Sequence, residues 1–306
     1  MKYIQNITEV KIEEPTVISL GKFDGIHRGH ELLMEQLFKK KESGLKTAVF
    51  TFDIPPKKSV EQTQVKVLTT NKEKLTIFEN MGVDYLIECP FTKEVMCMEP
   101  EAFIEMLVKQ FSVTCIVAGE DFRFGHKRRG DYRMLQEYAT VFGYEAIIVK
   151  KIQEDERDIS STFVRERIVE GDIEKANHLL GYRYFVTGEV LHGNKIGRTI
   201  GIPTINLLPT EEKLLPPCGV YVTEVYIGDK RYDGVTNVGR KPTIEGTYPI
   251  GVETHLLDFN SDVYGKEATV EFLHHVRGEQ KFESVEALQA QMMNDIAFAR
   301  TFLQKK

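Results

Sequence analysis

The first half of the chain alternates β-branched runs with segments of helical periodicity, and this alternation constrains the fold more than any other feature. It begins with the strand-like run PTVISL and continues with HELLMEQLFKKKES, where Leu33, Leu37 and Phe38 recur at helical spacing. Repeated strand–helix units predict a parallel sheet covered by helices, with ligands beyond the carboxyl ends of its strands. Further predicted strands are KTAVFTF, VDYLIEC, VTCIVAG and YEAIIVKK, and further helices are NKEKLTIFENMG, EPEAFIEMLVKQF and DYRMLQEYATVFG.

The pattern changes after about Leu180, where short strand candidates are separated by Gly, Pro, Asn and Asp. This predicts an antiparallel barrel or sandwich, and we place the boundary so that the domains are residues 1–182 and 183–306. One amphipathic helix closes the chain after Ser284, a residue type that favours helix N-caps. We predict that its apolar face packs in the core, and this face comprises Val285, Leu288, Met292, Ile296, Ala299 and Leu303.

Composition limits the possible partners. The 306 residues carry a net charge of -6, so no global basic field attracts nucleic acid. No apolar run is long enough to cross a bilayer, and the N-terminal residues lack a signal-peptide pattern. The four cysteines form no C-x-x-C pair, which argues against a disulfide framework or a zinc cluster. We expect a cytoplasmic monomer or weak homo-oligomer that binds neither nucleic acid nor membrane.

The stretch GKFDGIHRGH lies where a predicted strand passes into a helix. Gly21, Gly25 and Gly29 allow a sharp turn and a close approach of the backbone to a ligand. The following helix N-terminus offers unpaired N–H groups that favour phosphate. His27 and His30 can both face such a ligand and donate hydrogen bonds to it. The stretch therefore suits phosphate chemistry.

The same residues also fit more ordinary roles. A lone H-x-x-H pair is more often a capped helix start or a surface pair than a site. No G-x-x-x-x-G-K-[ST] loop occurs in the chain, so a P-loop is not available to hold a nucleotide. A zinc site would need a third ligand, and none lies at metal-binding spacing.

The H-x-G-H element resembles the signature of the nucleotidyltransferase superfamily. The longer stretch GKFDGIHRGHELL more narrowly resembles the prokaryotic bifunctional riboflavin kinase/FAD synthetases. VAGEDFRFGHKRRGD and DISSTFVRER are similar to their first module. GNKIGRTIGIPTINL, GVTNVGRKPTI and VETHLLDF are similar to their riboflavin kinase module. The resemblance covers nearly the whole chain, and it implies a Rossmann-like nucleotidyltransferase domain followed by an antiparallel β-barrel kinase domain with a C-terminal helix.

For the first module the resemblance implies adenylyl transfer, in which the FMN phosphate attacks the α-phosphate of ATP and pyrophosphate leaves. His27 and His30 would be the catalytic residues, and Arg123 and Phe124 would bind flavin. The residues that would bind ATP are Gly21, Phe23, Asp24, Gly25, Gly29, Asp121, Ser160, Ser161, Thr162 and Arg165. Taken alone, the Ser/Thr group is slightly more typical of an ordinary helix cap.

For the second module the resemblance implies transfer of the γ-phosphate of ATP to the 5′-hydroxyl of riboflavin. Glu253 would be the catalytic carboxylate, and Thr204 and Asn206 would ligate Mg²⁺. Gly197 and Arg198 would cover the ATP phosphates, and Arg277 and Phe282 would line the flavin pocket. From the residues alone, GIPTIN is better explained as a hairpin turn, and Glu253 as a solvent-facing strand residue. Alternation along VETHLLDF places Glu253, His255 and Leu257 on one side of that strand.

One departure from the family pattern leaves alternatives open. Relatives usually carry a T-F-x-P-H-P-like segment, whereas Thr51 to Pro56 read TFDIPP and lack the histidine. One alternative is therefore that the chain keeps the fold and retains only one of the two activities, more readily the kinase. A non-catalytic flavin-binding regulator is a further alternative, and adenylyl transfer to a non-flavin substrate is disfavoured by the second module.

Overall fold

The chain forms two compact units, Met1–Ser161 and Thr162–Lys306. A computed structural model of the protein describes residues 1–5, 7, 10–53, 66–193, 197, 201–240 and 250–305. The first unit contains a parallel six-stranded sheet with helices, and the second an antiparallel six-stranded sheet with a C-terminal helix. The predicted fold class is therefore confirmed.

The sheet of the first unit places one strand end at a topological switch point. Its strands are β1 (Lys2–Ile4), β2 (Thr16–Leu20), β3 (Lys46–Asp53), β4 (Tyr85–Pro90), β5 (Val113–Gly119) and β6 (Glu145–Val149). They lie in the order β1-β4-β3-β2-β5-β6, and all neighbours are parallel. After β2 the chain continues to β3 and β4 on one side, and it later returns to β5 on the other side of β2. Ligands of such sheets bind where the order reverses, which here is between β2 and β5.

Helices cover both faces of this sheet. They are α1 (Arg28–Glu42), α2 (Asn71–Asn80), α3 (Lys93–Met96), α4 (Pro100–Phe111), α5 (Tyr132–Glu137) and α6 (Ala139–Phe142). All five residues of β2 are buried, and successive side chains enter opposite cores. Val17 joins the cluster that contains Leu37, whereas Ile18 joins the one that contains Leu107. This two-sided burial is typical of a central strand in a parallel sheet.

Several elements of this unit differ from the sequence prediction. The single helix predicted over residues 131–143 is interrupted at Tyr138, whose ψ of -4° departs from the helical value. Strand β1 has only three residues and helix α3 only four. Elements that short carry too few periods of a pattern to stand out in a sequence.

A short hairpin and two helices lead into the barrel. They are β7 (Gln153–Glu154), β8 (Arg157–Asp158), α7 (Ser161–Glu170) and α8 (Ile173–Leu180). The Asn177 amide donates to the backbone oxygen of Phe272 and accepts from the backbone N–H of Tyr184, so α8 is tied to the second unit. The two compact units meet at Ser161 and Thr162, whereas the sequence places the domain boundary between residues 182 and 183. That boundary stays a prediction.

The second unit contains a nearly closed antiparallel barrel. Its strands are β9 (Phe185–Glu189), β10 (Ile205–Leu207), β11 (Gly219–Ile227), β12 (Lys230–Arg240), β13 (Ile250–Leu256) and β14 (Glu267–Gly278). They lie in the order β10-β13-β12-β11-β14-β9. The backbone N–H of Leu191, just after β9, donates to the oxygen of Asn206 at 2.8 Å and nearly closes the ring. The sequence did not distinguish β10 from a turn, because it is only three residues long.

The interior of the barrel contains a chain of buried threonines beside its apolar side chains. Thr236 lies between Thr223 and Thr254 with an Oγ1–Oγ1 distance of 2.8 Å to each, so these buried hydroxyls satisfy one another. Val252 and Leu256 enter the same interior. The predicted alternation along β13 is confirmed, because these residues and Thr254 are buried while the residues between them face the other side.

The C-terminal helix α9 (Val285–Gln304) covers one face of this sheet. Its predicted cap is confirmed, because the Ser284 hydroxyl accepts the N–H of Ala287 at 3.1 Å. Ala299 packs on Val222 as part of a small core. The core assignment of Val285 is wrong, since this first-turn side chain is 54% exposed. None of the helices in the described ranges combines the length and apolar content that spanning a bilayer requires.

We predict that Leu107→Ala lowers the free energy of unfolding by about 2–5 kcal/mol, because it leaves a cavity at a site with no solvent exposure. Val141→Ala is the matched control on the exposed surface of α6, and its effect should stay within about 0.5 kcal/mol. Urea denaturation followed by circular dichroism measures both. Equal midpoints for the two variants would contradict the core assignment.

Candidate active sites

The first candidate site lies at the switch point, at the carboxyl end of β2. His27 occupies the N-cap position of α1, and its carbonyl accepts the N–H groups of His30 and Glu31. The two imidazoles stack with ring centroids 3.8 Å apart. Among the described residues neither Nδ1 atom has a hydrogen-bond partner, although both are shielded from solvent. The pair is thus held in place while keeping polar atoms available for a ligand.

Burial keeps both imidazoles neutral near pH 7. It lowers the pKa of His27 to about 4, although the nearby charge of Asp121 acts in the opposite direction. The pKa of His30 is also well below its usual value, because of burial and the proximity of His27. A neutral imidazole has one N–H donor and one acceptor, so each ring can still donate one hydrogen bond.

The glycine-containing loop before α1 is joined to the segment that leads into α2. Asp24 Oδ1 accepts the backbone N–H groups of Leu68 and Thr69, and the N–H of Gly25 donates to Thr69 Oγ1 at 3.1 Å. Gly25 has a φ of +75°, a conformation that favours glycine. The hydroxyl of Ser161 donates to the backbone oxygen of Asp24 at 2.7 Å. These contacts bring the two predicted phosphate-binding segments of the first unit together.

The space around the histidines depends on a second glycine. A Cβ on Gly29 would lie 3.1 Å from the His27 ring and 3.5 Å from the backbone oxygen of Ile159. Phe23 packs its ring 5.0 Å from His30 and has a φ of +49°, an uncommon value for a non-glycine residue. Gly21 precedes this turn. The loop residues Phe23 and Gly29 therefore pack closely against the two imidazole rings.

The remaining predicted residues of this site differ in accessibility. Asp121 is exposed two residues after β5, and it pairs with Lys151 at 3.2 Å. Arg123 is exposed and donates to the backbone oxygen of Phe122, whereas Phe124 is only 3% exposed and packs in the core. Direct flavin contact by Phe124 stays a prediction. Ser160 and Ser161 end the first unit, while Thr162 and Arg165 follow on α7 in the second unit.

The second candidate site is a cavity of about 600 Å³ between α9 and the outer face of the barrel sheet. Predicted site residues that line it are Gly197, Thr204, Glu253, Arg277 and Phe282. Helix α9 contributes Leu288, Met292 and Ile296. The apolar face of α9 was predicted only to pack in the core, but it has two roles. These three residues border the cavity, and Ala299 packs on the sheet.

A row of cross-strand neighbours runs along the outer face of the sheet, and its members from Glu253 to Arg277 form the floor of this cavity. Asn206 on β10 lies opposite Glu253 on β13, which lies opposite Asn237 on β12. The row continues through Val220 on β11 to Arg277 on β14. Side chains directly opposite one another share a face of the sheet. Strand pairing therefore brings residues that are 71 positions apart in the chain, from Asn206 to Arg277, into one line.

Arg277 is held by the C-terminal helix. Its Nε and Nη2 atoms donate to the Asp295 carboxylate at 3.0 Å and 2.6 Å, and its Nη1 donates to the oxygen of Gly278. Asp295 is 3% exposed and also accepts from Gln291. The guanidinium carbon lies 5.9 Å from the centre of the Phe282 ring. The Arg277–Asp295 ion pair has no net charge, and Arg277 together with Phe282 forms a flat wall at one end of the cavity.

Thr204 and Asn206 offer the oxygen donors that Mg²⁺ prefers. Asn206 is 5% exposed and lies directly opposite Glu253, while Thr204 lines the cavity. A Cβ on Gly193 would collide with the Asn206 amide, so glycine leaves room for that group. The donor set fits a hard divalent cation. In the described ranges, no three histidine, cysteine, aspartate or glutamate side chains form a group that could hold a metal ion.

Sequence reasoning did not single out every residue of the second site, and it assigned one that the structure does not describe. Asn237 and Asp295 line the cavity but were not singled out. Asp295 did carry a signal, because it is an acidic residue on the buried side of an amphipathic helix. Asn237 carried none beyond its place in a strand. Arg198 lies outside the described residues.

Comparison with known proteins assigns the family. The family model described as FAD synthetase matches residues 9–163, and the one described as riboflavin kinase matches residues 180–303. A bifunctional riboflavin kinase/FMN adenylyltransferase of Listeria monocytogenes is 37% identical over 94% of this chain and 93% of its own length. The chain belongs to this bifunctional family. The similarly named Escherichia coli protein is 35% identical, with 98% of this chain and 96% of that protein covered.

A solved structure with a similar degree of sequence identity has the same fold as this chain. The Streptococcus pneumoniae structure, described as a macrolide-efflux protein, has a TM-score of 0.87 and 32% identity. The match covers 98% of this chain and 99% of that one. The two family models show that both the FAD synthetase and the riboflavin kinase module are present in this chain.

We predict that burial of the two site histidines makes the protein less stable in mild acid. With a pKa of about 4 when folded and 6.5 as its ordinary value, His27 binds protons preferentially in the unfolded state between these pH values. Lowering the pH from 6.5 to 5 should therefore remove about 1.5 kcal/mol of unfolding free energy through His27 alone.

Denaturation of the wild type and of a His27→Asn, His30→Asn double variant at several pH values measures this effect. The double variant should lose less stability than the wild type between pH 6.5 and 5. Above pH 7, where both imidazoles are neutral in either state, the two proteins should respond equally to pH, which provides the control. Parallel curves throughout would show that the histidines are not buried as described.

Proposed function

We propose that this chain phosphorylates riboflavin to FMN with ATP and then adenylylates FMN to FAD, with release of pyrophosphate. The first reaction is assigned to residues 183–306 and the second to residues 1–182. The observation that carries the proposal is the position of Glu253, between Asn206 and Asn237, in the wall of a flavin-sized cavity. The presence of both family modules in one chain supports two reactions that take place one after the other.

In the kinase reaction Glu253 acts as the general base. Its carboxylate accepts the proton of the riboflavin 5′-hydroxyl while that oxygen attacks the γ-phosphorus of ATP, and ADP leaves. The carboxylate is partly buried on the cavity face of β13, where packing limits its freedom. Arg277 and Phe282 bound the flavin end of the cavity. Gly197 and Arg198 belong to the segment assigned to the ATP phosphates.

Thr204 and Asn206 are the residues that would hold Mg²⁺. When bound, the ion neutralises charge on the phosphate oxygens of ATP. The metal ligands would be the hydroxyl of Thr204 and the amide oxygen of Asn206. The carboxylate of Glu253 is then not needed as a ligand and is left to accept the proton. Because Mg²⁺ usually takes only one or two protein ligands together with phosphates and water, this pair is sufficient.

Adenylyl transfer needs no protein nucleophile, so the first unit supplies positioning and charge stabilisation. His27 and His30 donate hydrogen bonds to the phosphates of ATP as negative charge builds up on them. The backbone around Gly25 and Gly29 allows the nucleotide to approach the start of α1. Further ATP contacts are assigned to Gly21, Phe23, Asp24, Asp121, Ser160, Ser161, Thr162 and Arg165. Arg123 and Phe124 are assigned to flavin.

The missing histidine in TFDIPP makes retention of only the kinase activity the alternative to test. Residues 54–56 of that segment lie outside the described part of the chain. Supplying FMN and ATP and looking for FAD by chromatography separates the two possibilities. Tight flavin binding with no turnover of ATP would instead favour a regulator. We assign the reactions to a cytoplasmic, monomeric or weakly oligomeric protein, consistent with its four free cysteines.

We predict that Glu253→Ala abolishes conversion of riboflavin to FMN and leaves conversion of FMN to FAD intact, because only the kinase site loses its base. Glu253→Gln is the matched variant that preserves size but cannot accept the proton. It should bind riboflavin normally and still lose turnover. Chromatography of products with ATP and Mg²⁺ measures both steps. Loss of both activities in a folded variant would contradict separate sites, and absence of FMN with the wild type would refute the kinase assignment.

We predict the opposite pattern for His27→Ala combined with His30→Ala. This variant should stop FAD formation, because the phosphates lose two donors, and it should produce FMN at the wild-type rate. The same chromatographic assay measures both products. An unchanged rate of FAD formation would remove the imidazoles from the mechanism.

A further inference from the structure

The row of side chains on the cavity floor has a definite order and length. From Glu253 it passes through Asn237 and Val220 to Arg277, which takes three steps between neighbouring strands. Strands in a sheet are about 4.8 Å apart, so the row spans roughly 14 Å. One end carries the proposed base and the other end carries the flat wall made by Arg277 and Phe282. A flavin ring with an extended ribityl chain has a comparable length.

Apolar side chains decide which end holds the flavin ring. Met292 and Ile296 of α9 line the cavity within one helical turn of Asp295, which binds Arg277, and Val220 lies beside Arg277 in the row. A flat ring system gains most from burial against such surfaces. With the ring at that end and the 5′-hydroxyl at Glu253, the ribityl chain has to pass over the residue between them, which is Asn237.

The amide of Asn237 is available for that chain. It is partly buried, and it lines the cavity. The next residue of β12 on that face is Gly239, where a Cβ would lie 3.0 Å from Asn237 Nδ2 and 2.7 Å from Glu279 Oε1. Glycine at that position therefore keeps the space around the amide open. An asparagine amide has one acceptor oxygen and two N–H donors, which match secondary hydroxyl groups.

We propose that Asn237 binds the secondary hydroxyls of the ribityl chain and thereby places the 5′-hydroxyl beside Glu253. This inference rests on the proposed kinase function of the same cavity. Each secondary hydroxyl gives up hydrogen bonds to water when the chain enters the cavity, and an unpaired polar group there is costly. Asn237 restores part of these bonds, so it selects a hydroxylated side chain over a plain alkyl one. A site that pairs a substrate hydroxyl discriminates against analogues that lack it.

The test compares two substrates in wild-type protein and in Asn237→Ala. One is riboflavin, and the other is a flavin whose N10 substituent is 5-hydroxypentyl, which keeps the terminal hydroxyl and lacks the secondary ones. We expect kcat/KM for riboflavin to fall roughly threefold to tenfold in the variant, the range for one lost hydrogen bond. For the analogue we expect a change of less than about twofold, because no such bond exists to lose. Asn237→Leu, which retains side-chain volume, should show the same pattern.

Two controls separate this outcome from a structural effect. Asn294→Ala replaces an exposed asparagine on α9 and should leave both substrates unaffected. Conversion of FMN to FAD by the first unit should be unchanged in every variant. If the analogue turns over slowly, the affinities of the two flavins for each variant can be compared instead, with binding monitored by the quenching of flavin fluorescence.

An equal loss for both flavins, or no loss for either, would overturn the role of Asn237. If the wild-type protein binds riboflavin but forms no FMN, the proposed kinase function fails instead. The binding comparison would then still decide whether Asn237 recognises the ribityl hydroxyls.

Discussion

Backbone pairing between neighbouring strands is the interaction on which both candidate sites depend. In the barrel, β13 pairs with β10 and β12, and this register places Glu253 between Asn206 and Asn237. In the parallel sheet, β2 pairs with β3 and β5, so the loops that follow β2 and β5 meet near His27 and Asp121. A slip of one residue along β13 would turn Glu253 into the barrel interior. The buried alternate residues of that strand prevent such a slip.

The two sites use buried polar groups in contrasting ways. His27 and His30 have shielded nitrogen atoms for which the described residues supply no partner, a cost that the surrounding packed core offsets and that a phosphate ligand can relieve. Arg277 and Asp295 instead satisfy each other, so they form a fixed wall and do not compete for phosphate. The first arrangement keeps donors ready for a reaction, and the second shapes a surface for a flat ring.

Much of the architecture was predictable because its patterns are local. Strand β5 agrees with its predicted segment at both ends, and α9 begins after the predicted cap at Ser284. Short elements such as β1 and β10 were missed, since three residues carry little periodicity. Val285 was assigned to the core from its spacing alone, yet its side chain is exposed in the first turn of α9.

Local patterns in the sequence were enough to predict the kinds of element, the glycines and histidines of the first site, and the strand face that carries Glu253. These features depend on residues that are close in the chain. Tertiary structure alone decided that Asn237 adjoins Glu253, that Asp295 holds Arg277, and that part of α9 borders a cavity. The physical reason is that strand register and helix docking follow from contacts between distant segments, and no local pattern records those contacts.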